Sequence, residues 1–189
     1  AQELGADALL QVTPYYNKAS QDGLVRHFTQ VADHVSIPIL LYNVPSRTGV
    51  TIQPETYKIL SEHPNIRGTK EASGSLSLIA KTAALCGEGF DIYSGNDDQT
   101  VPIMSLGGKG VVSVLANIMP REIHQMCRLY LDGDVKESRR MQLKLLVCGD
   151  DLRLPLTPME PEQRERLAEV MKRQGISLKK ELHNQTNLL

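Results

Sequence analysis

The chain has 189 residues, of which 41% are hydrophobic and 23% are charged, and its formal net charge is −1 at pH 7. This balance predicts one globular core and excludes the compositions that are typical of disordered, collagen-like and disulfide-scaffold proteins. Positive and negative side chains are interspersed, so the chain lacks the electrostatic pattern of proteins that bind nucleic acids or membrane surfaces. We therefore expect a small-molecule partner.

Short apolar runs alternate with helical patterns along most of the chain. The predicted strands are 8–12, 37–44, 66–71, 91–95 and 111–117. The predicted helices are 20–35, 54–63, 75–86, 100–106 and 120–133. Five successive β-α units indicate an α/β fold with a parallel sheet covered by helices, either doubly wound or closed as a (β/α)8 barrel.

The ends of the predicted strands favour the barrel. Polar or turn-forming residues follow every strand, in the segments TPYYN, YNVPSRTG, KEASG, SGNDD and LANIMP. Catalytic groups of barrels lie at the carboxyl ends of the strands, whereas a dinucleotide-binding fold concentrates its signal in one glycine-rich turn. The glycines of LGGKGVV predict a tight turn rather than a phosphate loop, because neither a Ser or Thr after the lysine nor a helix follows them.

The alternation stops at Asp134. Two helical segments follow, DVKESRRMQLKLL and EQRERLAEVMKRQG, with the proline-rich stretch DDLRLPLTPMEP between them and the tail SLKKELHNQTNLL after them. We expect the tail to be mobile. The predicted organisation is a partial barrel over residues 1–133 and a C-terminal helical region over residues 134–189.

The three cysteines, Cys86, Cys127 and Cys148, are widely spaced and fit no metal or redox motif. This pattern predicts buried thiols in a reducing compartment, and we expect a cytoplasmic protein. The N-terminus lacks both an initiator Met and the layout of a signal peptide, and no apolar run approaches the roughly 18 residues of a membrane span. We expect the first residue to be internal to a longer protein.

Lys70 stands at the end of the predicted strand IRGTKE. An inward-facing lysine at this end of a barrel strand is partly desolvated, which favours its neutral amine form. A neutral amine can attack a ketone and form a Schiff base. The alternative is a lysine whose ammonium simply reaches water, and this strand by itself favours that alternative.

Other strand ends change the balance. Tyr42 ends the strand LLYNV, where a phenol can relay protons, although a single tyrosine is more often a packed aromatic. Arg47 offers a planar fork for a carboxylate, although a loop arginine is usually only solvated. Tyr15 and Tyr16 in TPYYN add two phenols. Several such groups at one rim favour a catalytic site over coincidence.

Together, the motifs VTPYYN, LLYNVPSRTG, KEASG, YSGNDD and GGKGVVSVLAN resemble the dihydrodipicolinate synthase family of pyruvate-dependent class I aldolases, which includes N-acetylneuraminate lyase. The resemblance runs from residue 1 to about residue 146 and resumes at DDLRLPLTP. It implies a (β/α)8 TIM barrel with C-terminal helices and a homotetramer that is a dimer of dimers.

Two parts of the family pattern have no counterpart in the sequence. This chain would supply strands 4–8 of the barrel, without the first three β-α units and without their threonine loop, which contributes to the proton relay. The C-terminal helical region is also shortened, between KLLVC and GDDLRLPLTP.

The resemblance implies catalytic roles for three residues. Lys70 matches the lysine that forms an imine with pyruvate, and Tyr42 matches the tyrosine that relays protons and positions the substrate. Tyr16 matches a tyrosine that reaches across the dimer interface to complete the relay of the neighbouring subunit.

Four further residues take binding or interface roles on the same resemblance. Arg47 matches the arginine that receives the carboxylate of L-aspartate-4-semialdehyde. Gly95 and Val112 match positions that line the pyruvate pocket. Tyr15 matches an interface aromatic near the cleft for feedback inhibition by lysine.

The reaction implied is the condensation of pyruvate with L-aspartate-4-semialdehyde to 4-hydroxy-tetrahydrodipicolinate, in lysine and diaminopimelate biosynthesis, with no metal and no organic cofactor. Two alternatives remain open. One is another pyruvate-dependent aldolase, such as a 2-keto-3-deoxy-sugar-acid or neuraminate lyase, which Arg47 disfavours. The other is a non-catalytic truncated paralogue that acts as an assembly partner.

Overall fold

A computed structural model describes residues 1–146, 161–173 and 175. The chain forms two compact units, Ala1–Gln142 and Leu143–Leu189. The division into a partial barrel over residues 1–133 and a helical region over residues 134–189 stays a prediction. Residues 150–160 of the segment DDLRLPLTPMEP, Cys148 and the tail SLKKELHNQTNLL lie outside the described residues, so the predictions made for them stay predictions.

The first unit contains a parallel sheet of five strands within the described residues. These are β1 Leu9–Val12, β2 Ile39–Asn43, β3 Ile66–Glu71, β4 Asp91–Ser94 and β5 Gly110–Val111. Their order in space is their order in sequence, and every adjacent pair is parallel. All five carboxyl ends therefore lie at one edge of the sheet, as the predicted β-α units require.

Helices connect the strands and continue after the sheet. They are α1 Gln21–Asp33, α2 Pro45–Thr48, α3 Pro54–Leu60, α4 Leu76–Cys86, α5 Thr100–Ser105, α6 Pro120–Leu131, α7 Val135–Leu145 and, in the second unit, α8 Pro161–Arg173. Short 3-10 helices span Gln2–Leu4, Asp97–Gln99 and Leu115–Asn117. Local sequence explains several starts: Ser20 and Ser75 cap α1 and α4 through their hydroxyl oxygens, and proline opens α2, α3 and α6.

The hydrophobic core lies between the sheet and the helices. Its fully buried members include Leu24, Phe28, Ile39, Leu41, Tyr57, Ile66 and Ile79. In β2 the buried residues alternate with half-buried ones, so Leu41 and Asn43 face the helices while Tyr42 faces the other way. The sheet thus has one face sealed by helices and one face on which Tyr42 and its neighbours are accessible.

The strand predicted over residues 111–117 is wrong beyond Val111. The backbone N–H groups of Val114 and Leu115 each donate to the Asp97 carboxylate at 3.0 Å, so they do not pair with a neighbouring strand. The Ser113 hydroxyl then caps Ala116 at 2.8 Å, and the chain turns into a 3-10 helix. The strand preference of the sequence VVSV is therefore overridden by hydrogen bonds to the Asp97 carboxylate, which is distant in sequence.

None of the helices in the described part of the chain is long and apolar enough to cross a membrane. Cys86 and Cys127 are free thiols, and each is half-buried rather than fully buried as predicted. Burial raises the pKa of both thiols.

Candidate active site

Lys70 and Tyr42 are direct neighbours at the carboxyl edge of the sheet. The register of β2 and β3 pairs the two residues, and Lys70 Nζ lies 4.2 Å from the centroid of the Tyr42 ring. This distance is in the range of a cation–π contact. Both side chains are half-buried and point away from the helices. The structure therefore brings together the amine and the phenol that the sequence selected from two different strands.

Gly95 gives the Lys70 side chain its space. A Cβ atom at Gly95 would lie 2.7 Å from the Ala72 Cβ, which is closer than side chains pack, and 3.2 Å from Lys70 Cε, which is a tight contact. The Gly95 N–H also donates to the carbonyl of Glu71 at 2.8 Å. The structure thus places Gly95 against Lys70, with its backbone tied to β3.

Val112 and Tyr93 lie farther along the same edge. The Val112 N–H donates to the Ser94 carbonyl at 2.8 Å, so Val112 sits beyond β5, two strands from Lys70, and it is 37% exposed. Tyr93 is the register partner of Lys70 on β4, and burial raises the pKa of its phenol. Tyr93 was missed by sequence reasoning, although its place two residues before Gly95 in YSGNDD could have indicated it.

An open groove of about 500 Å³ lies over β1 and β2. Its lining residues are Leu10, Val12, Tyr15, Tyr42, Val44, Arg47 and Thr48. The groove therefore joins an apolar floor to two phenols and one guanidinium, a combination suited to a small organic acid. Among the described residues, no three His, Cys, Asp or Glu side chains cluster as a metal site.

Arg47 stands on a one-turn helix beside this groove. Pro45 opens α2, and Gly49, with φ of 66°, ends it in the left-handed conformation. Arg47 is exposed and takes part in none of the ion pairs of the described residues. Lys18, which sequence reasoning passed over, packs over Gly49 and adds a second cation near this rim.

The two tyrosines of TPYYN occupy different places. Tyr15 lines the groove and is 67% exposed, whereas Tyr16 is 91% exposed. Within the described part of this single chain, Tyr16 is not brought to the Lys70 and Tyr42 pair.

Glu71 was also missed by sequence reasoning, although it directly follows Lys70. Its side chain is 1% exposed, and its carboxylate accepts hydrogen bonds from Asn43, Tyr57 and Ser73. Burial raises the pKa of Glu71 in spite of these hydrogen bonds. Burial, together with the nearby Glu71 charge, also raises the pKa of Tyr57. The sequence did contain a sign of this role: alternation along a buried strand places the Glu71 carboxyl on the face that the helices cover.

Comparisons with known proteins agree on one family. A family model described as the dihydrodipicolinate synthetase family matches residues 1–152. A 4-hydroxy-tetrahydrodipicolinate synthase of Caldicellulosiruptor bescii is 50% identical over 202 aligned positions, covering 95% of this chain and 68% of the relative. The enzyme of the same name from Thermoanaerobacter sp. X514 is 56% identical over 160 positions, covering 84% of this chain and 54% of the relative.

Solved structures show the same likeness. Dihydrodipicolinate synthase from Aquifex aeolicus aligns with a TM-score of 0.86 and 40% identity, covering 94% of this chain and 69% of that one. The enzyme from Thermotoga maritima aligns with a TM-score of 0.86 and 34% identity, covering 92% and 68%. These neighbours have the TIM-barrel fold, so the five-stranded sheet is part of such a barrel and the predicted fold class is confirmed.

Proposed function

The chain belongs to the dihydrodipicolinate synthetase family, and on this basis we propose that it condenses pyruvate with L-aspartate-4-semialdehyde to 4-hydroxy-tetrahydrodipicolinate, in lysine and diaminopimelate biosynthesis. One observation carries the proposal at the level of residues. Lys70 Nζ lies 4.2 Å from the centre of the Tyr42 ring at the carboxyl edge of the sheet, where barrel enzymes place their chemistry.

In the proposed reaction, the neutral Lys70 amine attacks the ketone carbon of pyruvate, and loss of water gives an imine. Loss of a proton from the methyl group then gives an enamine, whose carbon attacks the aldehyde of the second substrate. The amino group of that substrate displaces the lysine, which closes the ring and frees Lys70. Tyr42, beside the amine, is the proposed donor and acceptor of the protons that these steps move.

Three residues have proposed roles in substrate binding. The Arg47 guanidinium, exposed beside the groove and without an ion-pair partner in the described residues, would bind the carboxylate of the aldehyde substrate. Gly95 keeps space beside Lys70 for pyruvate, and Val112 would form the far wall of that space. No organic cofactor is part of this proposal, because the imine on Lys70 itself supplies the electron sink.

The remaining proposals concern assembly and location. We infer a homotetramer in which Tyr16 reaches a neighbouring subunit and Tyr15 lies near that interface; the 91% exposure of Tyr16 supports this, since it leaves the phenol accessible to a partner. The protein would act in the cytoplasm, where the free thiols of Cys86 and Cys127 remain reduced.

A second function has one observation in its favour. β1 and β5 are the outer strands of the five-stranded sheet in the described residues, and an outer strand can pair with a strand of another chain, which suits a subunit that completes an assembly. An assay of aldehyde consumption in the presence of pyruvate separates the possibilities. L-aspartate-4-semialdehyde should be consumed far faster than sugar-derived aldehydes. Faster consumption of a sugar aldehyde would indicate another aldolase, and consumption of neither aldehyde would support the assembly partner.

A further inference from the structure

Glu71 is a buried carboxyl next to the candidate imine lysine. It is 1% exposed, and none of the ion pairs among the described residues includes it. Burial of a carboxyl without a cation is costly unless its oxygens are hydrogen-bonded. The local structure therefore has to provide donors from several directions.

Those donors come from three segments of the chain. Oε1 accepts the Ser73 N–H at 2.8 Å, from the turn after β3. Oε2 accepts the Tyr57 hydroxyl at 2.9 Å, from α3. The Asn43 amide nitrogen, at the end of β2, lies 3.1 Å from Oε1 and 3.0 Å from Oε2. One side chain thus holds together a turn, a helix and the neighbouring strand.

Further bonds connect this cluster to the site. Asn43, which directly follows Tyr42, accepts the Ala72 N–H at its backbone carbonyl at 2.8 Å and the Ile52 N–H at its side-chain oxygen at 3.1 Å. The residues that follow Tyr42 and Lys70 are therefore bonded to each other on the helix-facing side of the sheet. The two functional side chains themselves stand on the opposite side.

We propose that Glu71 is a positioning residue, which fixes the Lys70 amine and the Tyr42 phenol relative to each other from the opposite face of the sheet. This inference rests on the proposed function, because it assigns Glu71 to the same imine chemistry. Glu71 touches neither substrate nor the reacting atoms, and it acts only by holding the ends of β2 and β3.

A count of protons indicates which variant should preserve this role. Tyr57 Oη lies 3.1 Å from Thr69 Oγ1, which lies 3.2 Å from the Leu41 carbonyl. If Glu71 carries a proton, its hydrogen bond with Tyr57 reverses: the carboxyl donates to Tyr57, Tyr57 donates to Thr69, Thr69 donates to the Leu41 carbonyl, and every contact is satisfied. If Glu71 is ionised, two hydroxyl protons must serve three contacts. The side-chain N–H of Gln can replace the carboxyl proton, so Glu71→Gln should retain the arrangement.

The test compares Glu71→Ala and Glu71→Gln in the full chain, with Glu88→Ala as the matched control that removes an exposed carboxylate. Pyruvate is added with borohydride, and the initial rate of adduct formation on Lys70 is measured over a range of pyruvate concentrations. Glu71→Ala should lower the maximum rate about 10- to 100-fold through misplacement of the amine. The half-saturating pyruvate concentration should change little, and Glu71→Gln and Glu88→Ala should remain near the parent rate.

The outcomes are distinguishable. A parent protein that forms no adduct on Lys70 overturns the proposed function and this inference with it. If the parent is labelled and Glu71→Ala reacts at the parent rate, only the positioning role is overturned. The same holds if Glu71→Gln is as slow as Glu71→Ala. If Glu71→Ala does not fold, Tyr57→Phe decides, because it removes one donor and keeps the carboxyl: a reduced maximum rate supports the role, and the parent rate contradicts it.

Discussion

Lys70 and Glu71 are consecutive residues of β3 whose side chains leave the strand on opposite faces. The amine lies over the Tyr42 ring, whereas the carboxyl is buried against Tyr57 of α3. The strand therefore carries the proposed chemistry on one face and the hydrogen bonds that support it on the other. The variants below separate these two contributions.

The buried Glu71 carboxyl should make stability depend on pH. Burial raises its pKa above the ordinary value of 4.5, so the folded protein binds this proton more tightly than the unfolded chain does. The contribution of Glu71 to stability is then complete below pH 4.5 and is lost as the pH rises through the raised pKa. Denaturant titrations should show the free energy of unfolding of the parent falling relative to that of Glu71→Gln as the pH rises.

Glu88→Gln serves as the control for this titration, because Glu88 is exposed and its replacement should leave the pH dependence of the parent unchanged. A difference between the parent and Glu71→Gln that stays constant from pH 4.5 to neutrality, or that grows in favour of the parent, contradicts the assigned direction.

Gly95→Ala should disturb Lys70 directly. The added methyl group would stand 3.2 Å from Lys70 Cε and 2.7 Å from Ala72 Cβ, so the lysine side chain has to move. We expect a loss of about 1–3 kcal/mol in the free energy of unfolding and a strongly reduced rate of imine formation. Gly89→Ala is the matched control, because nothing lies within 4 Å of its added methyl group. Equal imine rates in the two variants would show that Gly95 is not needed for space.

Arg47→Ala should weaken use of the aldehyde and leave the first step intact. Loss of a charge-assisted contact to a carboxylate costs about 1.5–3 kcal/mol, and we expect that loss in kcat/KM for L-aspartate-4-semialdehyde. Pyruvate should still be trapped on Lys70 at the parent rate. Arg26→Ala, which removes an exposed arginine of α1, is the control. If Arg47→Ala folds normally but no longer traps pyruvate, Arg47 belongs to the pyruvate site instead.

Tyr16 should act on a neighbouring subunit. Mixed oligomers of Tyr16→Phe and Lys70→Ala subunits should regain synthase activity if each site draws these two residues from different chains. Native mass spectrometry would verify that the subunits have mixed. Mixed oligomers without recovered activity count against the interface role of this exposed phenol.

The sequence predicted the sheet well where strands are bounded by turn-forming residues, and poorly where a distant side chain decides. β2, β3 and β4 match their predicted positions closely, because turn-forming residues flank each of them. The proximity of Tyr42 and Lys70 could also be predicted, since the carboxyl ends of parallel strands share an edge. The end of β5 could not be predicted, because it depends on hydrogen bonds to the Asp97 carboxylate.

Glu71 is the clearest limit of the sequence analysis. The donors to its carboxylate include Tyr57, fourteen residues earlier, and Asn43, twenty-eight residues earlier. Only the packing of α3 on the sheet shows that these groups converge on one carboxyl. A local reading of KEASG shows a strand and a turn, and it contains no information about what packs behind them.

Trapping of the imine tests the central proposal most directly. The 189-residue chain is treated with pyruvate and borohydride and then mapped by peptide mass spectrometry, with the Caldicellulosiruptor bescii relative as a parallel sample. Lys58, Lys81 and Lys109 are internal controls, because they are exposed on α3, on α4 and in the turn before β5. We expect a reduced pyruvate adduct on the peptide that contains Lys70 and none on the three controls. An adduct on another lysine, with Lys70 unmodified, would contradict the proposed function.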